Sequence, residues 1–158
     1  MPTAYLDDLR PGQQFESGRH QITEADIIAF ASEFDPQPFH LDPVAAGGSF
    51  FGTLVASGWH TAAVTMRLLV TGDMQIAGGV VGGGAELTWP QPTRPGDTLQ
   101  VFSEVIAVRP SRSRPDRGIV TLRSETRNQH GEPVQVLVSQ LIVPRKEPTG
   151  EIGATSGA

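Results

Sequence analysis

Ser57-Gly58-Trp59-His60-Thr61-Ala62-Ala63-Val64-Thr65-Met66-Arg67-Leu68-Leu69-Val70 is the stretch whose reading decides the fold. Ser57 is a residue type that caps helices, and Gly58 would then take the first helical position. Trp59, Ala62, Ala63, Val64, Met66, Leu68, Leu69 and Val70 cover nearly the full helical circumference. A helix apolar almost all round has to be buried by the rest of its chain. Arg67 is the only charge within it and is expected to reach the edge along its aliphatic stem. His60, one turn in, reads as a satisfied histidine near the helix start.

What would bury that helix lies downstream. From residue 77 onward the composition changes to strand. Gly78-Gly79-Val80-Val81-Gly82-Gly83-Gly84 has neither the Lys-Ser/Thr ending nor the following helix of a phosphate loop. Its glycines are expected to serve bulges or close backbone approach. Residues 85–89 continue as strand, and Pro90, Pro92 and Pro95-Gly96-Asp97 make a turn-rich corner. Residues 98–108, 118–128 and 133–143 read as three further strands, with 129–132 a hairpin connection and His130 a solvated turn residue. An antiparallel sheet with one apolar face must cover it, and curling around the helix at 57–70 does so. The expected class is α+β. Such a unit keeps an open strand edge, so a homodimer or higher homo-oligomer is expected.

Upstream, residues 6–12 form a lead-in closed by a Pro11-Gly12 turn, and residues 15–22 a strand weakened by Gly18. Thr23 is a candidate N-cap, with Glu24 and Asp26 in the first turn where negative charge suits the dipole. Ile27, Phe30, Ala31 and Phe34 give that helix one apolar face, and Pro36 ends it. Asp35-Pro36-Gln37-Pro38-Phe39-His40 follows, a carboxylate and an imidazole on a loop stiffened by two prolines. Acid–base catalysis wants such a fixed pair; a cap and a surface histidine are the alternative. Asp42, Pro43 and Gly47 mark the cap, first position and stop of a second short helix, which gives Asp42 a structural job. Phe50 and Phe51, in the loop after it, are expected to pack on the core, a partner subunit or a ligand.

Two more groups bear on function. The N–H of Gly58 has no intrahelical acceptor and no side chain to block approach, which suits an oxyanion site; simple capping by Ser57 and close packing at Gly58 is the alternative. Residues 109–117 carry Arg109, Arg112, Arg114 and Arg117, either a solvated hairpin or a clamp for phosphates. They are not interleaved with aromatics, so a single-strand nucleic-acid platform is unsupported, and the net charge of −5 also argues against nucleic acid. The 158 residues suffice for one domain, taken as residues 1–146, with 147–158 expected to be a disordered tail. There is no long apolar run and no signal-like start, so no membrane association and a cytoplasmic location are expected. There is no cysteine, so disulfides, zinc-cysteine sites and thiol nucleophiles are out.

The arrangement resembles the hot-dog fold, and its motifs resemble the MaoC-like dehydratases, the family of (R)-specific enoyl-CoA hydratases. Asp35, Pro38, Phe39 and His40 match that family's Asp, two residues, Pro, apolar residue, His signature, and Leu41-Asp42-Pro43 continues it. Ser57-Gly58 falls at the start of the central helix, and the segment from Trp89-Pro90 to Pro95-Gly96-Asp97-Thr98-Leu99 resembles the family's later Pro and Gly-Asp segment. The resemblance spans roughly residues 5–145; Phe34, Gln37 and Ser57 depart from the usual Gly, Asn and His. It implies reversible hydration of a trans-2-enoyl thioester, expected to be an acyl-CoA. Asp35 and His40 would be the dyad, and Gly58 N–H the oxyanion donor. Phe39, Ser57 and Trp59 would line the acyl site, and Arg112 and Arg114 would meet the coenzyme phosphates. No metal or redox cofactor is implied, coenzyme A entering only with the substrate. A hot-dog thioesterase, releasing free thiol, and a non-catalytic acyl-binding dimer are the rivals.

Overall fold

The computed structural model describes residues 2–147, so all of the expected tail except Glu147 lies outside the described residues. A 3-10 turn at Leu6–Asp8 leads into β1 (Gln14–Gln21), followed by α1 (Glu24–Phe34), α2 (Pro38–Leu41), α3 (Pro43–Gly47) and α4 (Gly58–Thr71). The strands β2 (Val81–Thr88), β3 (Thr98–Pro110), β4 (Arg117–Arg127) and β5 (Pro133–Pro144) complete the order. They form one antiparallel sheet in the order β1-β3-β4-β5-β2. The expected glycine devices are present. Gly18 lies in a register shift between Glu16 and Arg19, and Gly83 in one between Gly82 and Gly84. No helix among the described residues is long and apolar enough to cross a membrane.

Period-two alternation builds the inner face of the sheet. Leu99, Val101, Ser103 and Val105 of β3 are buried, while their neighbours point outward. Val64, Leu68 and Leu69 of α4 pack on Leu99, Val101 and Val134. At the far end Leu6, Leu9, Met74 and Ile76 cover Val105, Val120, Leu122, Leu141 and Val143. A third cluster, Ile22, Ile27, Ala46, Leu54 and Ala56, joins α1 and α3 to the edge of this core.

Three expectations are corrected. The sheet covers only one side of α4, so in the single chain Trp59 is 62% exposed and Met66 and Val70 also face outward. Phe34 is 66% exposed, because α1 docks through Ile27 and Ala31 and its last turn projects past the core. The stretch read as a stiff loop is partly helical: Pro38 takes a first-turn position, where its missing N–H costs nothing, and His40 sits in the single turn of α2. Residues 111–116 are the hairpin connection between β3 and β4.

Candidate active site

Asp35 is the C-cap of α1, its N–H donating to the Ala31 carbonyl at 2.9 Å. The chain then folds back on itself: the Gln37 N–H donates to the Asp35 carbonyl at 2.8 Å, and the His40 N–H to the Gln37 carbonyl at 3.0 Å. This returns the imidazole to the carboxylate. His40 Nε2 lies 3.3 Å from Asp35 Oδ2. His40 is 5% exposed, so it is not a surface histidine. Its Nδ1 is 2.7 Å from the Val55 carbonyl, which can only accept, so Nδ1 carries the hydrogen and Nε2 faces the carboxylate. Phe39 stands edge-on to the imidazole at 4.6 Å.

Burial pushes the Asp35 carboxyl up, but hydrogen bonding by the Gln37 amide and the Ser57 hydroxyl, with His40 close by, outweighs it and holds the group below its ordinary value. The Gln37 contribution is direct, Nε2 donating to Asp35 Oδ1 at 2.6 Å.

Val55 and Ala56 carry the start of α4 to this pair, bonded on one side to the Phe39 carbonyl and on the other to that of Thr93. The Ser57 hydroxyl accepts the Trp59 N–H at 3.3 Å. The N–H groups of His60 and Thr61 reach the Ser57 carbonyl. None of the hydrogen bonds among the described residues uses the Gly58 N–H. The indole of Trp89 rests on Gly58: a Cβ there would stand 2.5 Å from Trp89 Cε2.

A cavity of about 350 Å³ opens here, lined by Phe39, His40, Phe50, Phe51, Gly58, Trp59 and Trp89 among others. Its lining residues include no formal charge, and His40 is the only titratable one. A somewhat larger hollow, of about 400 Å³, contains Arg19, Gln100, Phe102 and Arg127; these project from the sheet's other face, away from the dyad. Among the described residues no group of three or more His, Cys, Asp or Glu could hold a metal ion.

Residues 8–128 match the family model described as the MaoC like domain. The chain belongs to the MaoC-like family. Its fold is the hot-dog fold of that family. A MaoC-like dehydratase from Rhodospirillum rubrum is 56% identical and superposes with a TM-score of 0.90, over 92% of this chain and 99% of its own. YdeM of Bacillus subtilis, an uncharacterized protein, is 34% identical over 142 residues, 87% of this chain and 96% of its own. A 3-hydroxybutyryl-CoA dehydratase of Methylorubrum extorquens is 33% identical over 112 residues, 70% of this chain and 69% of its own.

In this MaoC-like chain the fold brings together Asp35, His40, Phe39, Gly58 and Trp59. Ser57 is fully buried and does not line the cavity; it caps α4 and sits beside Asp35. Arg112 and Arg114 are not brought to the dyad within the single chain: the dyad's end of the sheet is the Thr98 end of β3, and the arginine hairpin hangs from the other end of this 13-residue strand. His60 is not satisfied: its buried Nδ1 has no partner among the described residues, and its ring stacks on Phe30 at 4.6 Å. Burial holds its pKa below the ordinary value, against a raising pull from Asp26 and with a lowering push from His20. Sequence reasoning missed Gln37 and Trp89 as site residues. Gln37 showed only as a departure from a motif, and Trp89 only as the end of a strand and the start of the segment that resembles the family's later Pro and Gly-Asp segment.

Proposed function

We propose that this chain adds water reversibly across the C2–C3 double bond of an enoyl-CoA, with residues 1–146 working as one domain. The observation that carries this reading is the dyad itself: His40 Nε2 is 3.3 Å from Asp35 Oδ2, with Nδ1 anchored on the Val55 carbonyl, and His40 lines an apolar cavity together with Gly58, whose N–H has no partner among the described residues. A water bound alongside the carboxylate and imidazole, in reach of both, loses one proton as its oxygen adds to C3. That proton passes through the pair and is delivered to C2 on the same face, so the H and OH of one water are both accounted for. Both groups bear on the same water, so the acid and base roles are given to the pair and not to one member. Between these transfers the thioester oxygen carries negative charge, which the Gly58 N–H at the N-terminus of α4 would hold. Coenzyme A enters as part of the substrate, and the protein groups supply the proton transfers.

The uncharged cavity wall favours an acyl group without a second carboxylate, in line with the 3-hydroxybutyryl-CoA named for one relative. We further propose a homodimer. In the single chain β2 offers an open edge, and a groove of about 320 Å³ beside it is lined by Met66, Val80, Gly82 and Ala85.

Loss of the conjugated enoyl-thioester absorbance of crotonyl-CoA tests the reaction, with a thiol reagent in parallel. Wild-type protein should consume the enoyl signal without releasing thiol. Asp35→Asn and His40→Gln, checked for native far-UV dichroism, should each lower kcat by about a hundredfold or more. Release of free thiol would replace the hydratase by a thioesterase, and full activity in both variants would remove the dyad.

A further inference from the structure

Trp89 is tied into the core by its one polar atom. Its Nε1–H donates to Gln135 Oε1 at 3.1 Å, although Trp89 is 41% exposed and Gln135 is fully buried. Gln135 Nε2 donates to the Thr65 hydroxyl at 3.1 Å. Thr65 gives its only hydroxyl hydrogen to the Thr61 carbonyl at 2.9 Å, and so accepts from Gln135 and from the Thr126 hydroxyl at 2.6 Å. One orientation of the Gln135 amide satisfies this buried set: nitrogen towards Thr65, oxygen towards Trp89. An indole N–H can only donate, so Trp89 completes the chain of bonds where an acceptor is waiting.

The locked indole lies on Gly58, which lines the cavity and whose N–H has no partner among the described residues. A Cβ at Gly58 would stand 2.5, 2.7 and 2.8 Å from three atoms of the Trp89 ring, so only glycine lets the ring come this close. Trp59 meets the same ring edge-on, with centroids 5.4 Å apart. Gly58, Trp59 and Trp89 line the cavity with His40, while Gln135 lies behind it.

We propose that Trp89 is a positioning residue, a rigid wall locked by Gln135 that sets the thioester against the Gly58 N–H and keeps water off that side of the donor. The proposal rests on the enoyl-thioester reading. A ring lying on the helix end lowers the local dielectric, so a hydrogen bond to a developing oxyanion gains strength there. Gln135 acts only through Trp89.

Two measurements test this. The first is steady-state hydration of crotonyl-CoA by Trp89→Ala, Trp89→Phe and Gln135→Leu, normalised to the folded fraction. We expect kcat to fall about tenfold or more in Trp89→Ala and Gln135→Leu, with KM moving less than about threefold. Trp89→Phe, which keeps a ring and loses the N–H, should retain more activity than Trp89→Ala. Residues that only support the fold would lower the melting temperature and leave kcat per folded molecule unchanged, and that result overturns the proposal. The second measurement does not depend on turnover. The chain has two tryptophans, so Trp59→Phe leaves Trp89 as the sole tryptophan, and excitation at the red edge of the indole band avoids Tyr5. Saturated butyryl-CoA should quench or shift its emission, and the added Gln135→Leu change should alter that response. If wild type hydrates nothing, the hydratase reading fails and the emission experiment alone decides the role of Trp89. No emission change, with or without turnover, overturns it.

Discussion

Gln37 stands where the family usually carries asparagine, and its amide holds Asp35 Oδ1 at 2.6 Å. Removing that donor lets the carboxyl rise towards its ordinary value. A reaction that needs Asp35 ionised then loses rate at a higher pH, so the acid limb of kcat/KM for Gln37→Leu should lie above that of wild type. A pH–rate profile with both limbs superimposed would sink this assignment. Gly58→Ala should cost about 1–3 kcal/mol in urea unfolding, because the new Cβ falls inside the van der Waals reach of the Trp89 ring; an unchanged midpoint would contradict the packing. The dyad was legible because its two members sit on one short, proline-marked segment, and their chemistry shows in residue type and spacing. Trp89 was not, because its partner Gln135 lies 46 residues away and only the β2–β5 pairing brings them together. The place of the arginines was hidden for a related reason. Their density is visible in sequence, but the length of β3 that separates them from the dyad is a property of the sheet.

At the scale of elements, α1 and α4 meet through Phe30 stacked on His60. The cap of α1 was readable to the residue: Thr23 and Asp26 exchange the reciprocal bonds of a capping box. The single turn of α2 was not, since its first bonds use the Gln37 carbonyl, whose direction depends on the path leaving α1. The buried, unpartnered Nδ1 of His60 makes a prediction about stability. Its folded-state pKa is depressed, so the unfolded chain binds more protons as pH falls. The stability that neutral His60 permits is present above the unfolded value of about 6.5 and declines below it. His60→Phe, which keeps a ring on Phe30 and removes the orphan nitrogen, should be at least as stable as wild type at pH 7.5. Its advantage should widen at pH 5.5, read as urea midpoints. A gap that stays constant between the two pH values would show that His60 is not the group responsible.

For the whole molecule, the open question on the surface is where the uncovered side of α4 and the free edge of β2 go. Met66, exposed on α4, lines the groove beside that edge. Met66→Glu should shift the sedimentation profile from dimer towards monomer, because a carboxylate facing an apolar partner surface is left desolvated. A wild type that already sediments as a monomer would end the dimer proposal. That a sheet would form on this helix was legible from periodicity; that one helix face would stay bare was not, because periodicity counts apolar positions without saying how far a sheet reaches. The threonines and glutamine behind Trp89 carry one more consequence. Thr126 and Gln135 are cross-strand partners in the β4–β5 ladder. Slipping β5 by one residue would turn Gln135 to the outer face and present Val134 or Val136 to Thr65. Gln135 would then leave both the Thr65 hydroxyl and the Trp89 N–H without their present partner. A misaligned sheet is thereby marked against at the spot where the helix, two strands and the cavity wall converge. The polar seam is a gauge of strand alignment, and the register that satisfies it is the one that holds the tryptophan in place.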